Sequence, residues 1–463
     1  MIKTYRNTHN PILPPEYHIP DGEAHMMPDG KLYIYGSYDD GRAKRYCSEK
    51  YHVVSTPDME NWTIYEEALN GKNILWFYDP NAPKYQGIDW TNPTPFMRKE
   101  LEKAGLTPEM VKERKPESSK PEILPPVLFA PDCIYKDGKY YLYFCMADDS
   151  EGVAVSDKPE GPFANPVQLL CGGIDPAIFI DEDGQAYYFW GQLFSHGVPL
   201  NDDMISFEQE KVKDNLVTEE EHFFHEGSSM RKIGDTYYYV YADMERGKPT
   251  SLGYATSKSP MGPFTYQGII IDNDGCDPEN WNNHGSIECV HGQWYVFYHR
   301  SSRGTRENRR LCIEPITIAE DGRIQEVKMT SQGPGTPFGA GEKMMGYQAC
   351  GLTGTIYIGL NEDENTHAEY PEKLMNISAG DTAVFRYVSS SDNWNEITLK
   401  VTGSGEIRVI MNGKIAGNIK VKESLFKGIR LEKGLIDAEA GEYEVILECV
   451  TSSNLEIYEL TIS

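Results

Sequence analysis

The chain has 463 residues, with 71 acidic against 44 basic side chains and a formal net charge of -27. This length exceeds the usual limit of one hydrophobic core, which predicts one large domain and a smaller one. The negative charge argues against nucleic acid or an anionic membrane as partner, because like charges repel, whereas a neutral carbohydrate substrate is compatible with it.

Composition and cysteine usage narrow the class further. The 30 Tyr, 42 Gly and 29 Pro predict many short strands joined by turns. The nine cysteines show no CxxC spacing, which predicts free buried thiols rather than disulfides or a zinc site. The N-terminal segment lacks the apolar core of a secretory signal, and no stretch approaches the ~20 apolar residues of a membrane span. We therefore expect a cytoplasmic protein, although a chain whose signal had been removed would look the same.

The first predicted strands flank a PDG turn at residues 28–30. The string IPDGEAHMMPDGKLYIYGSYDD places Asp21 before this turn, and YHVVSTPDMENWTIYEE adds a second strand pair. Residues 70–125 then interrupt the pattern with an insertion rich in Pro and charge, of which 96–116 have helical composition. An insertion of this length is expected to decorate a site rather than to belong to a core.

The same pattern then recurs four times. The repeats are FAPDCIYKDGKYYLYFCMAD, GIDPAIFIDEDGQAYYFWGQ, HEGSSMRKIGDTYYYVYADM and NNHGSIECVHGQWYVFYHRSS, each with a turn such as KDG, EDG or IGD between two strands. Second hairpins carry the related strings SDKPEGPF and SKSPMGPF. Five units of four strands predict an all-β fold, a five-bladed β-propeller over residues 1–330.

A propeller brings the start of each innermost strand to one mouth of a central channel. The residues that lead the five units should therefore converge there: Asp21, Asp132, Asp175, Glu226 and His284. Carboxylates in a ring repel one another, which suggests that they are kept for a function. The aromatic setting of Glu226 would keep its carboxyl protonated near neutral pH, as a general acid requires.

Four segments resemble glycoside hydrolase family 43, across roughly residues 8–330. They are NPILPPEYHIPDGEAHMMPDGKLYIYGSYD, FAPDCIYKDGKYYLYF, HEGSSMRKIGDTYYYVYA and NHGSIECVHGQWYVFYHR. Several motifs in the correct order make the resemblance specific. It implies a five-bladed propeller and an inverting enzyme, because the family consists chiefly of α-L-arabinofuranosidases, β-xylosidases and arabinanases.

The resemblance also implies catalytic roles. Asp21 matches the general base, Asp132 the aspartate that orients and tunes the acid, and Glu226 the general acid. Glu23 is a rival to Asp21 as the general base, because the corresponding segment of many members ends in DP, where this chain has IPDGEAH. Inverting hydrolysis needs no cofactor: one carboxylate activates water and one carboxylic acid protonates the leaving oxygen, ~6.5 to 9.5 Å apart.

Further residues have two interpretations each. His284 resembles the histidine that in many members contacts a calcium ion or its waters, and it is alternatively a core histidine. Arg300 resembles an arginine near the substrate, and it could instead pair with a carboxylate of the ring. Asp175 lies in a DP dipeptide, so a turn role and a substrate contact are both open.

Three tryptophans are candidates for stacking on sugar rings. Trp76 in the insertion is predicted to form a subsite wall, whereas Trp190 within YYFWG is more typical of a core. Trp281 is the third candidate.

The C-terminal residues predict a second domain. After a Gly- and Pro-rich linker at 331–343, residues 344–463 hold alternating segments typical of a β-sandwich, such as EITLKVTG and YEVILECV. This region loosely resembles the jelly-roll modules of carbohydrate-binding family 6. Trp394 and several Tyr are its candidate stacking surfaces, but we favour a role in bracing the propeller.

Together these patterns predict an inverting, exo-acting glycosidase. It would remove terminal α-L-arabinofuranosyl units from plant oligosaccharides or polysaccharide side chains. The alternatives are a β-xylosidase, an exo-galactanase and a non-catalytic sugar-binding propeller. A binding propeller does not need three carboxylates in three blades, whereas a hydrolase fails without any of them. Linkage, oligomeric state and metal dependence do not follow from the sequence.

Overall fold

The computed structural model describes residues 1–41, 44–85, 98, 101–102, 105, 107, 110, 125–425 and 428–463. The helical segment predicted at 96–116 lies outside the described residues, apart from single positions. Short helices span Gly71–Asn73, Leu75–Tyr78, Gln209–Lys211, Glu219–His222 and Gly346–Gln348. The rest of the regular structure within residues 1–41, 44–85, 125–425 and 428–463 is β.

Five antiparallel sheets follow one another along residues 2–316. Their strands are β1 Ile2–Arg6, β2 Glu23–Met26, β3 Leu32–Tyr35, β4 Lys50–Thr56, β5 Asn61–Asn70, β6 Asp132–Lys136, β7 Lys139–Cys145, β8 Ser150–Ser156, β9 Ala164–Gly172, β10 Ala177–Ile180, β11 Ala186–Trp190, β12 Phe194–Pro199, β13 Lys213–Thr218, β14 Phe224–Ile233, β15 Thr236–Asp243, β16 Ser251–Ser257, β17 Thr265–Asp272, β18 Ser286–Val290, β19 Gln293–Ser302 and β20 Thr305–Ile316.

Each sheet forms one blade of a propeller; three blades have the predicted four strands, whereas the first has five, because β1 adds outside β5, and the last has three. The sheet orders are β1-β5-β4-β3-β2, β6-β7-β8-β9, β10-β11-β12-β13, β14-β15-β16-β17 and β18-β19-β20. The innermost strands β2, β6, β10, β14 and β18 contact one another in a closed ring. The predicted five-bladed propeller is confirmed.

The local sequence explains why these strands form. The turn glycines Gly138 and Gly184 have φ of 82° and 86°, the left-handed region that glycine enters without steric cost. The Tyr-rich strand β15 is almost completely buried, and Tyr239 and Tyr241 pack with Phe224 between neighbouring blades. Aromatic side chains thus fill the wedges between the sheets.

The N-terminal segment closes the ring. The side chain of Asn10 pairs with both backbone groups of Ile313 on β20, at 2.9 and 3.0 Å, and the amide of Ile12 donates to the carbonyl of Leu311. A parallel bridge also joins Gly22 to Gly285. The first and fifth blades are therefore held together, which fixes the mouth of the channel.

The C-terminal residues form a separate curled sheet around their own core. Its strands are β21 Phe338–Gly339, β22 Lys343–Met345, β23 Gly351–Thr353, β24 Tyr357–Leu360, β25 Glu372–Met375, β26 Thr382–Ser390, β27 Trp394–Met411, β28 Lys414–Val421, β29 Arg430–Ala438 and β30 Gly441–Ile462. The long β27 changes partner from β29 to β28 near Gly403. A Cβ on Gly403 would lie 1.9 Å from the carbonyl oxygen of Asn454, so only glycine permits this close approach.

The C-terminal sheet offers less sugar-stacking surface than the sequence suggests. Trp394 is 1% exposed inside the core, so its expected availability for stacking is wrong. The predicted all-β class, a propeller followed by a β domain, is confirmed. The resemblance to carbohydrate-binding family 6 and the domain limits at 330 and 344 stay predictions.

Residues of the predicted linker pack against the propeller. Phe338 is buried and stacks on His9 with 3.9 Å between the ring centroids. On the other side of the junction, the buried carboxylate of Glu372 pairs with Arg303 at 3.0 Å and with Arg310 of β20. The C-terminal sheet is thus anchored to the last blade by a buried ionic contact.

All nine cysteines are free thiols, and eight of them are buried, as predicted. Among the described residues, no helix has the length and apolar character that a membrane crossing requires.

Candidate active site

Three of the predicted residues occupy equivalent positions at one mouth of the channel. Asp21, Asp175 and His284 each precede the innermost strand of their blade by two residues. Asp21 and Asp175 have φ of 59° and 56°, a left-handed conformation that is rare for non-glycine residues and concentrates at functional sites. The shared register brings these side chains to the same depth.

Asp21 is held as an anion. Its Oδ1 lies 2.8 Å from Nη1 of Arg309 and 3.3 Å from Nδ1 of His299. Burial alone would raise the pKa of Asp21, but the Arg309 charge and the His299 hydrogen bond outweigh it and hold the pKa below the ordinary value. An ionised carboxylate with a fixed orientation can accept a proton from water.

Asp175 and Glu226 form an interacting carboxyl pair. Burial raises the pKa of Asp175 well above its ordinary value, and the negative charges of Glu226 and Asp21 add to this effect. The mouth therefore combines the ionised carboxylate of Asp21 with the buried carboxyl of Asp175, whose pKa is raised.

His284 lies between the two aspartates. Its Nδ1 is 3.9 Å from Oδ1 of Asp21 and 3.8 Å from Oδ2 of Asp175. Burial lowers the pKa of His284, so the imidazole is neutral at neutral pH. Gly227 allows its close packing, because a Cβ there would lie 2.8 Å from Cδ2 of His284.

Two amides that the sequence analysis missed fix the carboxyl of Glu226. Nε2 of Gln192 donates to Oε2 at 2.7 Å, and Nδ2 of Asn282 lies 3.4 Å from Oε1. Glu226 itself sits in β14 where the register with β15 shifts, and it is half-buried. Both amides stand at the ends of repeat strings, outside the strands themselves, where strand alternation gives no signal for them.

The structure places Asp132 in a different layer from the acid pair. Asp132 is the first residue of β6 and is therefore equivalent to Glu23 on β2, two residues beyond Asp21. Two residues of strand correspond to ~7 Å along the channel. The carboxylate of Asp132 accepts from the amide of Ile178 at 2.7 Å and lies 2.7 Å from Nε2 of His25. The interaction with Glu226 that was expected of Asp132 is found instead for Asp175, on which the charge of Glu226 acts.

The deeper layer is an ionic cluster of Glu23, His25, Asp132 and Arg231. Ligand atoms of the first three lie within 4.8 Å of one another, a grouping that could hold a metal ion. However, Nη2 of Arg231 donates to Oε1 of Glu23 at 2.7 Å, so a protein cation already balances the charge. Glu23 belongs to this layer, which removes the reason to prefer it to Asp21 as the base.

The surroundings of His284 fit calcium poorly. Ca²⁺ prefers six to eight oxygen ligands, whereas His284 offers a ring nitrogen and its neighbour Asp21 is already paired with Arg309. No step of the chemistry is therefore assigned to a metal ion.

The arginine of the site is Arg309, not Arg300. Arg300 is 3% exposed, and its Nε lies 3.0 Å from Sγ of Cys312, where the charge of Glu314 also acts on it. Arg309 pairs with Asp21 and, at 2.9 Å, with Asp39. Arg309 belongs to the arginine-rich string RENRR on β20, but the sequence alone does not show which of these arginines faces the channel.

The tryptophans differ in their access to a ligand. Trp190 is 4% exposed between Tyr188 and His196, so it belongs to the core and not to a substrate surface. Trp76 stacks on Phe144 and donates to Oγ of Ser150 at 3.2 Å, which attaches it to the second blade. Trp281 is 42% exposed and adjoins Asn282, the residue that reaches Glu226.

Sequence comparisons show which known proteins this chain is similar to. The family model described as Glycosyl hydrolases family 43 matches residues 98–324. The chain is 34% identical over 363 positions to Xylosidase/arabinosidase 43A of Humicola insolens, which covers 66% of this chain and 95% of that relative. It is 28% identical over 481 positions to a xylosidase/arabinosidase of Thermoclostridium stercorarium, covering 90% of each.

Solved structures show the same architecture. A GH43 β-xylosidase/α-arabinofuranosidase from a compost microbial metagenome, in complex with xylotriose, superposes with a TM-score of 0.52 at 28% identity, over 70% of this chain and 99% of that one. A Bacillus subtilis arabinoxylan arabinofuranohydrolase matches 98% of this chain and 97% of its own at a TM-score of 0.51 and 22% identity, which supports the fold including the C-terminal part.

Proposed function

The chain belongs to glycosyl hydrolases family 43 and is a glycoside hydrolase; on this basis, we propose that it is an inverting, exo-acting enzyme that removes terminal α-L-arabinofuranosyl units from arabinoxylan-type chains. The observation that carries the proposal is the presence, at one mouth of the channel, of the ionised Asp21 and the Glu226–Asp175 pair.

The roles follow from the contacts. Asp21, held as an anion by Arg309, accepts a proton from the water that attacks the anomeric carbon. Glu226, positioned by Gln192, donates a proton to the leaving glycosidic oxygen. Asp175 tunes and orients the acid, which is the role that the sequence assigned to Asp132.

The relatives support a pentose substrate. Proteins named xylosidase/arabinosidase match at 28 to 34% identity, and an arabinoxylan arabinofuranohydrolase of Bacillus subtilis matches at 27% over 377 positions. A second candidate activity is β-xylosidase, because the metagenomic β-xylosidase/α-arabinofuranosidase was captured with xylotriose.

The test is the hydrolysis of 4-nitrophenyl α-L-arabinofuranoside and 4-nitrophenyl β-D-xylopyranoside, assayed side by side. We expect release of 4-nitrophenol from the arabinofuranoside. Release from the xyloside alone would change the proposed substrate to a xyloside but leave the proposed mechanism in place. NMR of the first product should show the inverted anomer, and retention would contradict the assignment of Asp21 as a base. Products longer than one sugar from an arabino-xylo-oligosaccharide would contradict the exo mode.

We also propose that the C-terminal sheet braces the propeller rather than binding sugar. Its buried Trp394 and the Glu372 contact with the last blade support this role. Isothermal titration with xylan oligosaccharides should show no second binding site outside the propeller.

A further inference from the structure

Tyr46 covers the arginine that holds the general base. It lies in the connection between β3 and β4, and its ring stands over the guanidinium of Arg309 with 4.7 Å from Cζ to the ring centroid. Arg309 in turn binds Asp21. An arginine over a tyrosine face is attracted by the π-electrons, so the ring fixes the outer side of this ion pair.

The hydroxyl of Tyr46 is buried and has no hydrogen-bond partner among the described residues. Buried polar groups in native proteins almost always have a partner, and leaving one unsatisfied costs about 1 to 3 kcal/mol. Burial raises the pKa of this phenol above the ordinary value, although the charge of Arg309 opposes the shift. The phenol is thus linked to the proposed base through Arg309, which lies under its ring and pairs with Asp21.

We propose that the hydroxyl of Tyr46 hydrogen-bonds a ring hydroxyl of the glycosyl group that is cleaved, and so determines which sugar the site accepts. The proposal rests on the proposed function of the site. A sugar placed between Asp21 and Glu226 carries hydroxyl groups that can satisfy the phenol oxygen. A site that hydrogen-bonds a substrate hydroxyl rejects analogues without it, because its own polar group is then left unpaired.

The ring and the hydroxyl have separable roles. Tyr46→Phe keeps the ring over Arg309 and removes the hydroxyl alone. We expect a five- to fiftyfold loss of kcat/KM with an unchanged pH profile, because the Arg309–Asp21 pair is preserved. Tyr46→Leu removes both, so we expect a larger loss and an acid limb of the pH profile that moves to higher pH.

Tyr5 provides a matched control. Its hydroxyl is also buried without a described partner, but it lies on β1 at the outer edge of the first blade. Tyr5→Phe should leave kcat/KM unchanged. Equal losses in Tyr5→Phe and Tyr46→Phe would show a general effect of removing a phenol oxygen and would overturn the proposal.

The decisive experiment is a cycle with deoxy substrates. Aryl glycosides in which one ring hydroxyl at a time is replaced by hydrogen are compared on the wild type and on Tyr46→Phe. At one ring position, replacement of the hydroxyl by hydrogen should reduce activity several-fold less in Tyr46→Phe than in the wild type. The variant already lacks the phenol oxygen that this hydroxyl binds. Identical losses at every position in both proteins would overturn the proposal.

The outcomes separate this inference from the proposed function. An inactive Glu226→Gln together with an unaffected Tyr46→Phe would refute only the role of Tyr46. A wild-type protein that hydrolyses neither glycoside, or a fully active Glu226→Gln, would refute the proposed function and this inference with it. Melting temperatures within a few degrees of the wild type would show that each variant is folded.

Discussion

Nη1 of Arg309 lies 2.8 Å from Oδ1 of Asp21, and Nη2 of the same guanidinium lies 2.9 Å from Oδ1 of Asp39. Both aspartates and the arginine are at least 95% buried, so water screens their attraction little. One cation thus orients the proposed base and keeps it ionised.

Replacement of this cation should shift the pH dependence of the reaction. In Arg309→Met, the largest charge that opposes the effect of burial on Asp21 is lost, so the pKa of Asp21 rises and the base becomes protonated at a pH where the wild-type base is ionised. We expect the acid limb of the kcat/KM profile to move to higher pH by at least one unit. Arg323→Met, at a largely exposed arginine, is the control, and an unmoved acid limb in Arg309→Met would contradict the account.

The alkaline limb of the kcat/KM profile distinguishes the two candidate partners of the acid, Asp175 and Asp132. Asp175 interacts with Glu226, whereas Asp132 interacts with His25 in the deeper layer. In Asp175→Asn the carboxyl that interacts with Glu226 is lost, so the alkaline limb of the kcat/KM profile should move. Asp132→Asn should leave this limb in place. The reverse pattern in the two pH profiles would restore Asp132 to the role expected from the sequence.

The junction with the C-terminal sheet should contribute strongly to stability. Glu372 is completely buried and neutralises Arg303 and Arg310, so Glu372→Gln leaves the buried guanidinium of Arg310 and the partly buried one of Arg303 without their anion. Removal of one partner of a buried ion pair costs about 3 to 5 kcal/mol, whereas an exposed pair contributes about 0 to 1 kcal/mol.

The matched control is Glu396→Gln, which breaks an exposed pair with Lys433. Thermal unfolding followed by circular dichroism should show a clear drop in Tm for Glu372→Gln and almost none for Glu396→Gln. Equal melting temperatures would show that the two parts of the chain are stabilised independently.

The fold could be predicted from the sequence because strand alternation and turn glycines repeat in each blade. Strings such as KDG and EDG mark turns that need a left-handed residue, and Tyr-rich runs mark strands buried on both faces. These are local signals, so five blades could be recognised without knowledge of their contacts.

The site could be predicted only in part. The two-residue alternation of a strand shows which face a side chain lies on, but not how far along the channel it lies. Asp132 and Asp175 both point into the channel, yet they start from positions two residues apart in their blades, which separates them by ~7 Å. Arg300 and Arg309 lie on neighbouring strands of one blade, and only the three-dimensional pairing shows that Arg309 reaches Asp21. Gln192, Asn282 and Tyr46 lie in connections, where the repeat carries no information.

The most direct test of the central claim is the leaving-group dependence of Glu226→Gln. The variant and the wild type are compared on a natural oligosaccharide and on the 2,4-dinitrophenyl glycoside of the same sugar, with the exposed Glu182→Gln as control. An acid is needed only when the leaving oxygen must be protonated, so the account predicts a loss of about 10² to 10⁴ on the oligosaccharide and a much smaller loss on the dinitrophenyl glycoside. Equal losses on both substrates, or full activity on the oligosaccharide, would contradict the assignment of Glu226 as the general acid.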